Sequence, residues 1–157
     1  MPVDVVDSGG AAAALLSSAQ RAGDALLDCL ALSGCELCVV LVTDSHMREL
    51  NAEWRGKDAP TDVLSFSQSE DNAVSPGGTR MLGDVVVSVD TLKRQAQAGG
   101  WTDEEELARL VLHGLLHLLG HDHESEDEAR QMRAEESRLV GLLRGRGISC
   151  ASGESAS

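Results

Sequence analysis

Residues 113–123 read His113-Gly114-Leu115-Leu116-His117-Leu118-Leu119-Gly120-His121-Asp122-His123, and most of the chemistry the chain offers lies here. On a helix, His113 and His117 stand four residues apart, so both rings leave one face, a turn from each other. Gly120 follows where a helix can stop and reverse through a left-handed residue. The reversal brings His123 back toward the first two rings. Imidazole nitrogens are zinc ligands, and His113, His117 and His123 make an open three-ligand site for one Zn2+ per chain. The fourth position is left for water or substrate.

The spacing is that of the metzincin peptidases, with one departure. Those enzymes carry Glu directly after the first His, as general base. Here the position is Gly114, which neither takes nor gives a proton, so the ligand geometry survives without the protease's base. Two neighbours add to the set. His121 is a fourth imidazole, read as a neighbour or second-shell group because spacing favours His123. Asp122 has two readings: it orients a ligand imidazole by accepting its N–H, or it starts the next turn.

These side chains need a helix, and the flanking sequence supplies one. Thr102 with Glu105 three residues on is a capping box. Leu107, Leu110, Val111, Leu115 and Leu118 then recur at helical spacing. Ser125 and Glu128 open a last helix to about Leu143. Upstream, Val3 to Asp7 reads as a short strand, 11–32 as an amphipathic helix, and Leu37 to Thr43 as a buried β-branched strand. A helix capped by Asp44 or Ser45 follows to about Trp54, then a short strand over 63–67 and a polar loop over 69–79. Asp84 to Val89 reads as a second buried strand and Thr91 to Ala98 as a helix capped by Asp90. The expectation is an α+β, layered α/β domain with a small mixed sheet over 1–144 and a disordered tail over 145–157.

Composition bounds the rest. At 157 residues the chain forms a single domain with a sizeable core. It has no apolar run long enough to cross a membrane, and no basic segment leading into an apolar run at its start, so a cytoplasmic protein is expected. The net charge of −13 argues against a plain nucleic-acid-binding surface, and against DNA in particular. Residues 103–136 hold eleven acids and three arginines, which accounts for −8 of that charge. The cations Arg48, Arg55, Lys57, Arg80, Lys93 and Arg94 fall in the middle third, where a basic rim can form. Cys35 and Cys38 have CxxC spacing without a second pair, which favours reduced thiols near a strand over a redox or zinc role.

Three further segments accompany the histidines in order: Leu50-Asn51-Ala52-Glu53-Trp54-Arg55-Gly56-Lys57-Asp58, Pro60-Thr61-Asp62-Val63-Leu64-Ser65-Phe66 and Leu82-Gly83-Asp84-Val85-Val86-Val87-Ser88. Over about residues 37–140 the chain closely resembles the YbeY family, bacterial metal-dependent endoribonucleases. The resemblance implies zinc on His113, His117 and His123, and an active-site role for Arg55. It implies cleavage of single-stranded RNA in ribosomal RNA maturation, at the 3′ end of 16S rRNA, and in ribosome quality control. Ribosomal or small-subunit proteins are the implied partners. Position 121, often aromatic in the family, is His here. Lys57 is a candidate phosphate contact, and Asp84 is divided between a strand-start turn and the site. Thr61, Asp62 and Ser65 read as turn and strand-end residues; Trp54 and Trp101 can stack bases, but core packing is the assignment favoured for both. The competing function is a non-enzymatic ribosome assembly factor with a structural zinc.

Overall fold

The computed structural model describes residues 3–8, 13–32, 34–67, 80–121 and 125–151. The strand expected at the N-terminus forms as β1 (Val3–Asp7), followed by helix α1 (Ala13–Cys29) and strand β2 (Cys35–Val42). Helix α2 (Asp44–Arg55), strands β3 (Val63–Ser67) and β4 (Arg80–Ser88), and helices α3 (Val89–Gly99), α4 (Asp103–Leu118) and α5 (Glu126–Gly145) complete the order. The four strands form one mixed sheet in the order β1-β2-β4-β3. β1, β2 and β4 are mutually parallel, and β3 pairs antiparallel at the edge.

The sheet is covered on both faces, as its near-continuous apolar central strands require. Leu37, Val39, Leu41, Val85 and Val87 face the larger core, where α1, α4 and α5 contribute Leu26, Leu110, Leu115, Met132 and Leu139. Val42, Leu64 and Val86 face the other way and close over Met47 of α2. The alternation of burial along β2 is the two-residue period of a strand. For the same reason Cys35 and Cys38 leave β2 on opposite faces. The Cys38 thiol is pushed up to about 11 by burial, and then by Asp84 and Asp4.

The expected capping residues differ at two helix starts. Thr43, not Asp44 or Ser45, caps α2, and Ser88, not Asp90, caps α3. Asp44 instead joins the two helices. It accepts hydrogen bonds from Ser88 Oγ, Thr91 Oγ1 at 2.6 Å and Arg94 Nη2 at 2.8 Å. The capping box at Thr102 forms as expected.

The C-terminal segment also differs from expectation. Gly145 still belongs to α5, and Cys150 and Ala151 are buried. Ala151 N–H donates to Glu105 O at 3.0 Å, and Arg144 Nη2 donates to Cys150 O at 3.1 Å. Two small side chains docked against the first turn of α4 hold a stretch whose Gly/Ser content reads as unstructured. The polar loop expected over 69–79 lies outside the described residues. Among the described residues, no helix is long and apolar enough to cross a membrane.

Candidate functional site

Helix α4 carries His113 and His117 as the sequence predicts, and ends in the reversal expected at Gly120. Gly120 has φ +97°. His121 N–H donates to Leu116 O and Gly120 N–H to His117 O, each at 3.0 Å, the paired bonds of a Schellman turn. Asp122 and His123 lie outside the described residues. Among the described residues, no three potential ligands converge on one point.

The two rings nevertheless meet a specific test of fit. Their Nε2 atoms are 3.1 Å apart, with the rings inclined at 72°. His113 Nδ1 lies 3.2 Å from Glu136 Oε1 on α5. An ionised carboxylate only accepts, so Nδ1 carries a proton, and in the neutral imidazole the lone pair is then on Nε2, toward His117. At this distance two facing lone pairs repel unless a proton or a cation lies between them. Zinc–imidazole bonds of about 2.0–2.1 Å in tetrahedral geometry put ligand nitrogens about 3.3 Å apart. The pair fits a shared ion, and the half-buried carboxylate is the orienting partner that such a ligand takes.

A buried ionic group stands behind this pair. Arg109, one turn before His113 on α4, donates from Nε and Nη2 to the two carboxylate oxygens of Glu106 at 3.0 and 2.6 Å. Both side chains are almost wholly enclosed, and a buried charge of this kind persists only when paired. The Glu106 hydrogen bonds hold the guanidinium charged, and Asp62 and Glu136 add attraction. Arg109 therefore supplies positive potential near the carboxylate that orients His113.

Sequence reasoning missed Glu136 and Arg109. The signal was present for Glu136, since it interrupts the buried stripe Met132, Leu139, Val140, Leu143 of α5 at helical spacing. A carboxylate on a buried face needs a partner.

Gly114 has a steric reason to be glycine. A Cβ there would lie 2.6 Å from Val85 Cγ1 and 3.1 Å from Ser65 Oγ. The Ser65 hydroxyl donates to Gly114 O at 2.8 Å and ties α4 to the edge strand. The position where peptidases carry a general base is thus packed against the sheet. Ser65 and Asp62 take structural places, Asp62 Oδ1 accepting from Val63 N–H at 2.8 Å.

The remaining candidates divide. His121 lies within electrostatic reach of Glu135 on α5, whose carboxyl is lowered chiefly by its hydrogen bond to Arg138. Asp84 pairs in register with Cys38 and Phe66, on the sheet face opposite Val85 and Gly114. Arg55 is the last residue of α2, and Gly56 closes that helix with φ +69°. Asn51 Nδ2 donates to Ala59 O at 2.7 Å and fixes the loop that carries Lys57. Arg48 and Arg94 are paired with Asp58 and Asp44. Arg55 and Lys57 are exposed and form no ion pair among the described residues.

Trp54 overturns its core assignment. It is 63% exposed and makes an edge contact with Phe66 at 5.9 Å. Phe66 and α4 meet at Gly83, φ +143°, where a Cβ would lie 2.3 Å from Phe66 O and 3.0 Å from Leu118 Cδ2. The end of α2 and the histidine end of α4 therefore approach the same end of the β3–β4 pair. A separate cleft, lined by Arg21, Glu104, Glu105 and Ile148, contains none of the candidate site residues.

Comparisons with known proteins identify the family. The family model described as Endoribonuclease YbeY matches residues 11–144. A protein of Myxococcus xanthus named Endoribonuclease YbeY is 54% identical over 112 residues, covering 71% of this chain and 38% of its own length. Proteins of the same name from Rhodopseudomonas palustris and Aquifex aeolicus are 44% and 46% identical, covering 70% and 74% of this chain. The chain spans 58% of the former and 76% of the latter. The solution structure of TM1509 from Thermotoga maritima aligns over 98% of this chain and 99% of its own, at 25% identity and a TM-score of 0.58.

Proposed function

The chain belongs to the YbeY family, and from that premise we propose that it is a zinc-dependent endoribonuclease that cuts unpaired RNA. Ribosomal RNA is the proposed substrate, at the 3′ end of 16S rRNA, in maturation and quality control of the ribosome. The cytoplasm is the proposed compartment and small-subunit proteins the proposed partners. The observation that carries the reading is the His113–His117 pair, with Nε2 atoms 3.1 Å apart and the outer nitrogen of His113 on Glu136.

His113, His117 and His123 would hold the ion. When bound, it supplies Lewis acidity at the phosphate being cut. The chain's own residues do the rest. Glu136 keeps the His113 proton on Nδ1, so that Nε2 stays a ligand. Arg55 offers a planar fork of donors to phosphoryl oxygens as negative charge builds on them. Lys57 adds a point charge for a neighbouring phosphate. Gly114 contributes no base, so peptide hydrolysis lacks its proton acceptor. The substrate is unpaired because a splayed backbone can enter a surface site that a duplex cannot.

The test is incubation of metal-loaded protein with matched single-stranded and duplex RNA, with and without a chelator. Chelator-sensitive cleavage of the single strand alone is expected. No cleavage even with ribosomes present would favour the assembly-factor function, and hydrolysis of casein would overturn the substrate class.

A further inference from the structure

We propose that the indole of Trp54 is a stacking platform for an unpaired base of the RNA whose phosphates Arg55 and Lys57 hold, an inference that rests on the endoribonuclease reading above. The chain has two Trp, one Phe and no Tyr. With aromatics this scarce, it still leaves Trp54 63% exposed, more than Val6 at 46% or Leu142 at 40%. Core packing explains none of that exposed indole surface.

The ring has an anchor in the fold. Its edge contact with half-buried Phe66 ties it to the apolar cluster beneath α2. The hydrogen bond from Asn51 to Ala59 O holds the loop that follows. A ring anchored at one edge gives up less freedom on stacking than a free one, so more of the contact energy remains for binding.

Charge and position favour nucleic acid as the occupant. Glu53 precedes the indole, but the two exposed cations Arg55 and Lys57 follow it. Their neighbours Arg48 and Arg94 are neutralised by carboxylates, whereas among the described residues these two are not. An exposed aromatic beside unpaired cations is the pattern of single-strand binding surfaces: bases stack and phosphates are neutralised. Through Phe66 and Gly83 the indole stands at the end of the sheet that Leu118, next to His117, also reaches. A base in a duplex offers no free π face, so the platform would select unpaired RNA. Every base has such a face, so it would do so with little sequence preference.

The test uses a Trp101→Phe chain, in which Trp54 is the sole indole. Metal-free protein is titrated with oligouridylate, with oligoadenylate and with their duplex, following indole fluorescence. Single strands should quench it and the duplex should not. With affinities of all variants read from the anisotropy of a dye-labelled strand, Trp54→Ala should weaken single-strand binding by about 5- to 150-fold, the loss typical of one stacked base. Trp54→Phe should retain most of the affinity. In cleavage of the same single strands, Trp54→Ala should raise KM while leaving kcat within a few-fold. If the parent chain binds and cuts single strands and Trp54→Ala does so equally well, the platform is wrong and the endoribonuclease reading stands. If the parent chain neither binds nor cuts them, that reading fails and the platform fails with it.

Discussion

His113 Nδ1 lies 3.2 Å from Glu136 Oε1, so the imidazole proposed as a metal ligand on α4 is oriented by a carboxylate from the last helix. The bond fixes which ring nitrogen keeps its proton and therefore which one faces His117. It also makes the packing of α5 on α4 part of the site.

Glu136→Ala should accordingly weaken metal binding by about 10- to 100-fold, as loss of an orienting partner typically does. Glu136→Gln should fall between, because an amide oxygen still accepts but carries no charge. Competition against a chelating dye measures both. Unchanged affinity in Glu136→Ala would mean that the carboxylate does not orient the ligand.

Gly114→Ala should destabilise the fold by about 1–3 kcal/mol, the cost of forcing a methyl into a packed contact. The obstruction is Val85 Cγ1, 2.6 Å from the added carbon. Val85→Ala in the same chain should recover part of that loss. A urea-denaturation double-mutant cycle reads the coupling, and additive effects would refute the clash.

The Asp44 carboxyl gives a pH dependence. Burial raises its pKa, but hydrogen bonds from Ser88, Thr91 and Arg94 outweigh this and leave it below the ordinary carboxylate value. A lowered folded-state pKa contributes stability above the unfolded value, about 4, and loses it as pH falls through the folded value. Asp44→Asn should therefore cost about 1–3 kcal/mol near neutrality. The gap from wild type should close as the solution is acidified below pH of about 4. Urea midpoints across that range test it, and a gap independent of pH would contradict it.

The sequence carried the local rules of this fold well. The Thr102 capping box, the Gly120 reversal and the shared face of His113 and His117 all follow from spacing within a few residues, and the structure has them. Long-range partners were not legible. Nothing near His113 announces that Glu136, 23 residues on, supplies its hydrogen bond. Trp54 misled because large aromatics usually pack inside, whereas α2 buries Met47 and Asn51 and leaves Trp54 in solvent. Asp44 misled in the same way: a good capping residue by type, it is drawn instead to three donors at the start of α3.

The proposed function gives Arg55 a part in the chemistry and none in the frame. A guanidinium has no lone pair to give a metal and stays protonated. Arg55→Ala should keep the fold and the metal content, and lower RNA cleavage on the order of 100-fold or more. Arg55→Lys should restore little, because an ammonium lacks the bidentate fork. A folded, metal-loaded Arg55→Ala protein with wild-type cleavage would return the residue to an ordinary surface charge.

The central claim is that one metal ion sits on His113, His117 and His123, where α4 meets the Gly120 turn. Elemental analysis of purified single variants tests it most directly. Wild type should hold one divalent ion per chain, chiefly zinc, His117→Ala and His123→Ala should lose nearly all of it, and His121→Ala should keep it. Loss in His121→Ala with retention in His123→Ala would contradict the ligand set.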